Sequence, residues 1–164
     1  MKTTTMRAAA LAATVMLMTP VAAAASTGDD STATTAQELK ARAELLYDQP
    51  GQWKAAADLL RKSAALLDDG DAQQFETLLT AGRVYGQAGD LTRARKTLQM
   101  AAESALERGA VMQAGQAYLE AAHVAARQGS AHRALALREK ARVLAESPHL
   151  SAQERSYLLE WSAE

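Results

Sequence analysis

The sequence predicts an all-α protein, an α-solenoid of three antiparallel helix pairs plus a C-terminal capping helix. Three observations lead there. The 164-residue chain is 48% hydrophobic but only 4% aromatic, has three prolines, and is rich in alanine and leucine, which lose little on entering a helix. Gly51, Gly89 and Gly129 recur at spacings of 38 and 40 residues, each between two stretches of helical periodicity. Around each glycine the same small and apolar positions return. Ala81, Tyr85, Leu91, Ala94, Leu98 and Ala101 correspond upstream to Ala43, Tyr47, Trp53, Ala56, Leu60 and Ser63. Downstream, Ala121, Ala122, Ala125, Ala131, Ala134 and Ala141 occupy the equivalent places.

The first 25 residues read as a signal peptide. Lys2 and Arg7 form a basic start, Ala8–Met18 is an apolar run too short to span a bilayer alone, and Thr19-Pro20 breaks it. Small residues at Ala23 and Ala25 suit cleavage before Ser26, the alternative being an uncleaved anchor. The short, basic, alanine-rich leader fits a bacterial envelope protein. With no cysteine, neither a lipidation site nor a disulfide is expected, and stability must come from packing. Residues 26–35 (STGDDSTATT) are small, polar and aperiodic, and are expected to be a flexible linker. Residues 36–164 then form one helical-repeat domain.

Helices are expected at 36–48, 53–69, 72–88, 91–108, 111–128, 131–146 and 151–162. Gly89-Asp90 turns the chain, because glycine enters φ > 0 at little cost and Asp90 caps the next helix. Asp69-Gly70-Asp71 ends one helix and starts another, with Asp71 and Gln74 spaced as a capping box. Gly109 closes the fourth helix. Ser147-Pro148 breaks the sixth, and Ser151 with Glu154 makes a second capping box. In the last helix, Tyr157, Leu158 and Trp161 form one apolar face expected to pack over the open end of the third pair. Glu154, Arg155 and Glu160 would face water.

The stretch Ala81–Ala101 resembles a tetratricopeptide repeat (TPR). Ala81, Gly82, Tyr85, Gly89, Asp90, Ala94, Leu98 and Ala101 match that family's run of small residue, Gly, Tyr, Gly-Asp, Ala, apolar residue and Ala. Glu44 replaces the Gly of the first copy, and Ala125 the Tyr of the third. The repeats are longer than the family's, with the surplus after Ser63 and Ala101, so the second and fourth helices should extend by about a turn. The resemblance implies that the first helix of each pair lines a concave groove. Groove positions would then include Glu38, Arg42 and Leu45 in the first pair, Glu76, Leu79, Arg83 and Gln87 in the second, and Gln116, Glu120, His123 and Arg127 in the third. The Lys and Asn of the family's carboxylate clamp are not matched, since Ala41 and Leu45 stand there.

Catalysis has no visible basis. There is no cysteine, phosphate loop or HExxH motif, and none of His123, His132 and His149 has a metal-site spacing to another His or an acid. No metal or cofactor is expected. The acids around Gly70 lack the spaced ligands and distal Glu of a calcium loop. The net charge of -1 gives no reason to expect nucleic acid, and the basic run Arg93–Lys96 is followed by Glu103 and Glu107 on the same helix. The expected function is therefore an exported, non-enzymatic protein–protein interaction module or adaptor of the bacterial cell envelope. Its partner would be a protein or peptide held by Arg42, Arg83, Gln87, Glu120, His123 and Arg127. The alternative is a ligand-binding accessory subunit of an envelope transport system.

Overall fold

The computed structural model describes residues 29–163. They form seven helices: α1 (Asp29–Tyr47), α2 (Trp53–Ala64), α3 (Ala72–Gln87), α4 (Leu91–Glu107), α5 (Val111–Arg127), α6 (Ala131–Leu144) and α7 (Ala152–Ala163). No strand is present among the described residues. Each helix packs on the next in sequence, and α7 also touches α5. The expected leader and residues 26–28 of the expected linker lie outside the described residues. No helix among the described residues is long and apolar enough to cross a membrane.

One turn design recurs after α3, α4 and α5. Gly89, Gly109 and Gly129, 20 residues apart, have φ of 77°, 72° and 74°. In each case the residue after the glycine donates its N–H back to the carbonyl five residues earlier: Asp90 to Tyr85, Ala110 to Ala105, and Ser130 to Ala125. This 6→1 bond satisfies a helix-end carbonyl and needs a left-handed residue, which glycine supplies without a Cβ clash. Asp90 also accepts from the Arg93 N–H at 3.2 Å, as its position suggested.

Three local expectations are corrected. α1 starts at Asp29, so residues 29–35 of the expected linker are helical. The reason lies one turn further on: Ala36 is buried, and its carbonyl accepts from the Ser63 hydroxyl of α2 at 2.7 Å. Packing anchors this turn, which intrinsic propensity does not favour. α2 ends at Ala64 instead of 69, and residues 65–71 form the connection to α3. The expected extra turn is absent there, whereas α4 does continue six residues past Ala101 to Glu107. Finally, Asp71 caps α3 through the Gln73 N–H at 2.7 Å, but Gln74 does not complete a capping box. Gln74 instead accepts from Ser104 on α4 at 2.6 Å and donates to the Leu67 carbonyl and Asp69. The second capping box does form, with Glu154 accepting from the Ser151 N–H and the Glu154 N–H donating to the Ser151 hydroxyl.

The core is built largely of alanine. Ala56, Ala81, Ala94, Ala101, Ala121, Ala125 and Ala141 are each 0% exposed, which lets neighbouring helices approach closely. Few large side chains fill the space that remains, and Tyr85, Leu98 and Leu158 are the largest fully buried ones. A separate small cluster of Ala145, Leu150 and Leu158 lies under α7, with Val111, Met112 and Leu119 against it.

Tyr85 reaches from α3 to α2, where its hydroxyl donates to Asp58, and Arg93 of α4 donates to the same carboxylate. The Tyr85 phenol is held above its ordinary value near 10 by burial and by the Asp58 bond, and Tyr118 is raised by burial and the charge of Glu103. The fold therefore favours both neutral phenols. That contribution is complete below pH 10 and is lost as pH rises through the raised values. In a titration followed by tyrosinate absorbance, Tyr85→Phe and Tyr118→Phe should each remove a late step coincident with alkaline unfolding. If both substitutions remove only early, reversible steps, the burial of these phenols is not what governs their ionisation.

Candidate functional site

Helices α3, α5 and α7 wall an open groove of about 780 Å³. Helical spacing positions its side chains. Arg83 and Gln87 are four residues apart on α3, while Gln116, Glu120, His123 and Arg127 are spaced four, three and four on α5, so each set lies on one helix face. The floor is low because α3 presents Gly82 and Gly86, with Leu98 of α4 beneath. A Cβ at Gly82 would stand 2.7 Å from Leu98 Cγ, so glycine is what allows α4 to come this close.

Five of the six residues singled out from the sequence, Arg83, Gln87, Glu120, His123 and Arg127, line this one groove. Arg42 does not. A smaller groove of about 650 Å³ lies between α1 and α3, and its α1 wall is Lys40, Ala43, Glu44 and Tyr47, with Asp48 just beyond the helix end. Arg42 lies about 100° round the helix from Ala43 and lines neither groove. Leu79, also expected at the groove, is buried in the core beside Phe75 and Leu78. Glu76 lines the smaller groove and not the larger one.

Arg83 crosses the groove. Its Nε and Nη2 donate to Glu120 Oε2 and Oε1 at 2.9 and 2.5 Å, a bidentate pair joining α3 to α5. The bond to Glu120 holds the guanidinium above its ordinary pKa. With side chains 56% and 34% exposed, this pair fixes geometry more than it adds stability. Gln87 accepts from the Tyr47 hydroxyl of α1 at 3.0 Å, so α3 carries the wall shared by the two grooves.

The sequence reading missed three contributors. Arg138 of α6 and the aromatic residues Tyr157 and Trp161 of α7 also line the groove. Only Leu158 of α7 is buried, which corrects the expectation that Tyr157 and Trp161 pack away over the third helix pair. They remain 39% and 49% exposed, with ring centroids 5.9 Å apart. Arg155, expected to face water, donates to the Ala145 carbonyl at 3.1 Å and ties α7 to the end of α6. The sequence signal for this arrangement is Gly115. A glycine inside a helix marks a close approach, and a Cβ there would stand 2.7 Å from Leu158 Cδ2.

Elsewhere, the two arginines of the basic run on α4 are engaged within the protein. Arg93 pairs with Asp58 and Asp90, and Arg95 donates to Gln99. Among the described residues no group of three or more His, Asp or Glu side chains converges. No protein-family model matches the chain, and no curated protein gives a significant match.

Proposed function

We propose that the chain is an exported, TPR-like solenoid of three antiparallel helix pairs with a terminal helix, acting as a non-enzymatic protein–protein interaction module in the bacterial cell envelope. The repeat register supports the scaffold. Ala81, Tyr85, Ala94, Leu98 and Ala101 are all buried, as are their counterparts Ala43, Ala56, Leu60 and Ser63, and Ala121, Ala125, Ala134 and Ala141. Export rests on the leader-like residues 1–25 alone.

The observation that carries the functional reading is the convergence of Arg83, Gln87, Glu120, His123 and Arg127 on one groove. Such a surface suits a peptide, which offers backbone and side-chain partners along its length. A small-molecule accessory would need an enclosed apolar cavity, and this groove is open, with Arg, Gln, Glu and His side chains among its walls.

In a pull-down from an envelope extract, an Arg83→Ala/Arg127→Ala double variant with unchanged circular dichroism should lose partners that the wild type retains. Truncation at a true hot spot costs about 2 kcal/mol or more, enough to remove a micromolar partner through washing. Identical partner lists would remove the groove from the account.

A further inference from the structure

We propose that the groove walled by α3, α5 and α7 selects acidic peptide segments carrying a large apolar or aromatic side chain. Arg127 and Arg138 would receive the carboxylates, and the Tyr157–Trp161 pair the apolar group. This rests on the groove being a peptide site and specifies what the peptide must contain.

The charge pattern argues for the acid. Glu120 is the one carboxylate in the lining, and both its oxygens are taken by Arg83. Arg127 and Arg138 have no carboxylate or hydrogen-bond partner among the described residues. By contrast Arg142, one turn along α6 from Arg138, is held by Glu139 and Glu146. The chain as a whole has a formal charge of -1, so the excess of arginine over carboxylate in this lining is a local feature. An anionic partner gains from exposed cations that have no internal counter-charge to lose.

The aromatic pair argues for the apolar group. α7 is held through Leu158, leaving Tyr157 and Trp161 half-exposed at the groove, although they are the largest apolar side chains of that helix. A groove lined by both aromatic rings and arginines is the kind of surface on which interface hot spots concentrate. The chain's own residues 1–28 do not supply such a ligand, because they contain Lys2 and Arg7 and no carboxylate.

A displayed library of short random peptides, panned on the immobilised full chain, tests this. The enriched sequences should carry Asp or Glu flanking Trp, Phe or Leu. The best of them, synthesised with both ends blocked, is then measured by fluorescence anisotropy. Arg127→Gln/Arg138→Gln and Trp161→Ala should each weaken it about tenfold or more. Replacing the peptide's Glu by Gln should matter on the wild type and not on the double-Gln variant. Enriched peptides that lack acids but are still lost on Arg83→Ala would overturn this proposal and leave the peptide groove standing. No enrichment, or binding indifferent to every groove substitution, would overturn both. A concentration-dependent dimer broken by Arg127→Gln/Arg138→Gln would give the groove to a second copy, whose acidic turn at Asp68–Asp71 is the candidate insert, and would also overturn the proposal.

Discussion

Leu98→Ala should lower the stability of the whole fold by about 3 kcal/mol and its melting temperature by about 10 °C. Leu98 is 1% exposed, and it packs against α3 where Gly82 leaves room for it. In an alanine-built core there are few large neighbours to relax into the vacated space, so the cavity persists. Gly82→Ala attacks the same contact from the other side. Its new Cβ would lie 2.7 and 2.8 Å from Leu98 Cγ and Cδ2 and 3.3 Å from the Leu98 backbone nitrogen. Helix propensity would return about 1 kcal/mol to the variant, against an overpacking cost of about 1–3 kcal/mol. The double variant Gly82→Ala/Leu98→Ala decides whether the contact is real. Because the second change removes the atoms that the first one strikes, it should be more stable than the sum of the single effects by about 1 kcal/mol or more. Denaturant unfolding of the four proteins measures this, and simple additivity would rule out the close approach.

Leu158→Ala should release α7 while the rest of the protein stays folded. Leu158 is the only buried residue of that helix, and the cluster beneath it is separate from the main core. The substitution removes most of what holds α7, about 2–5 kcal/mol by analogy with other buried leucines, and this exceeds what a 12-residue helix can replace by its own propensity. Gly115→Val should act alike by filling the site from α5. Hydrogen exchange should show protection lost across 152–163 and kept in α3 to α5. In a Trp53→Phe background, Trp161 emission should shift to the red. Amides of α7 that stay as protected as those of α6 would show that another contact holds the helix.

The two leucines illustrate what was legible in the sequence. Leu98 has its counterpart in Leu60 of the first copy and lies in one stripe with Ala94 and Ala101, so its burial could be read from spacing, although Arg138 stands at the equivalent place in the third copy. The turns could be read as well, since a glycine between two periodic segments has few conformational alternatives. The start of α1 was hidden because Ser, Thr and Asp there have the composition of a tether; only the docking of Ala36 on Ser63 shows why they are helical. The end of α2 was hidden by Leu66 and Leu67, which extend an apolar pattern past the point where the backbone leaves the helix. At the groove, the spacing of Arg83 and Gln87 and of Glu120, His123 and Arg127 placed these residues on common faces. The α7 aromatics were misassigned because an i,i+4 aromatic pair reads as core from periodicity alone. The residue seated over Gly115 is Leu158, which leaves the rings at the groove, and periodicity alone does not say which member of the face takes that place.

The dominance of packing between helices adjacent in sequence has a mechanical consequence. A force applied across the described helices loads their interfaces mainly in series, one helix after the next, because contacts between non-adjacent helices are few beside those between neighbours. The chain is thus built to yield by peeling, and its weakest seam is at α7, which is also the wall that bears Tyr157 and Trp161. Tension on a peptide seated there, as proposed above, would pull directly on the part of the molecule that gives way first, and the contacts under Leu158 would then govern its release.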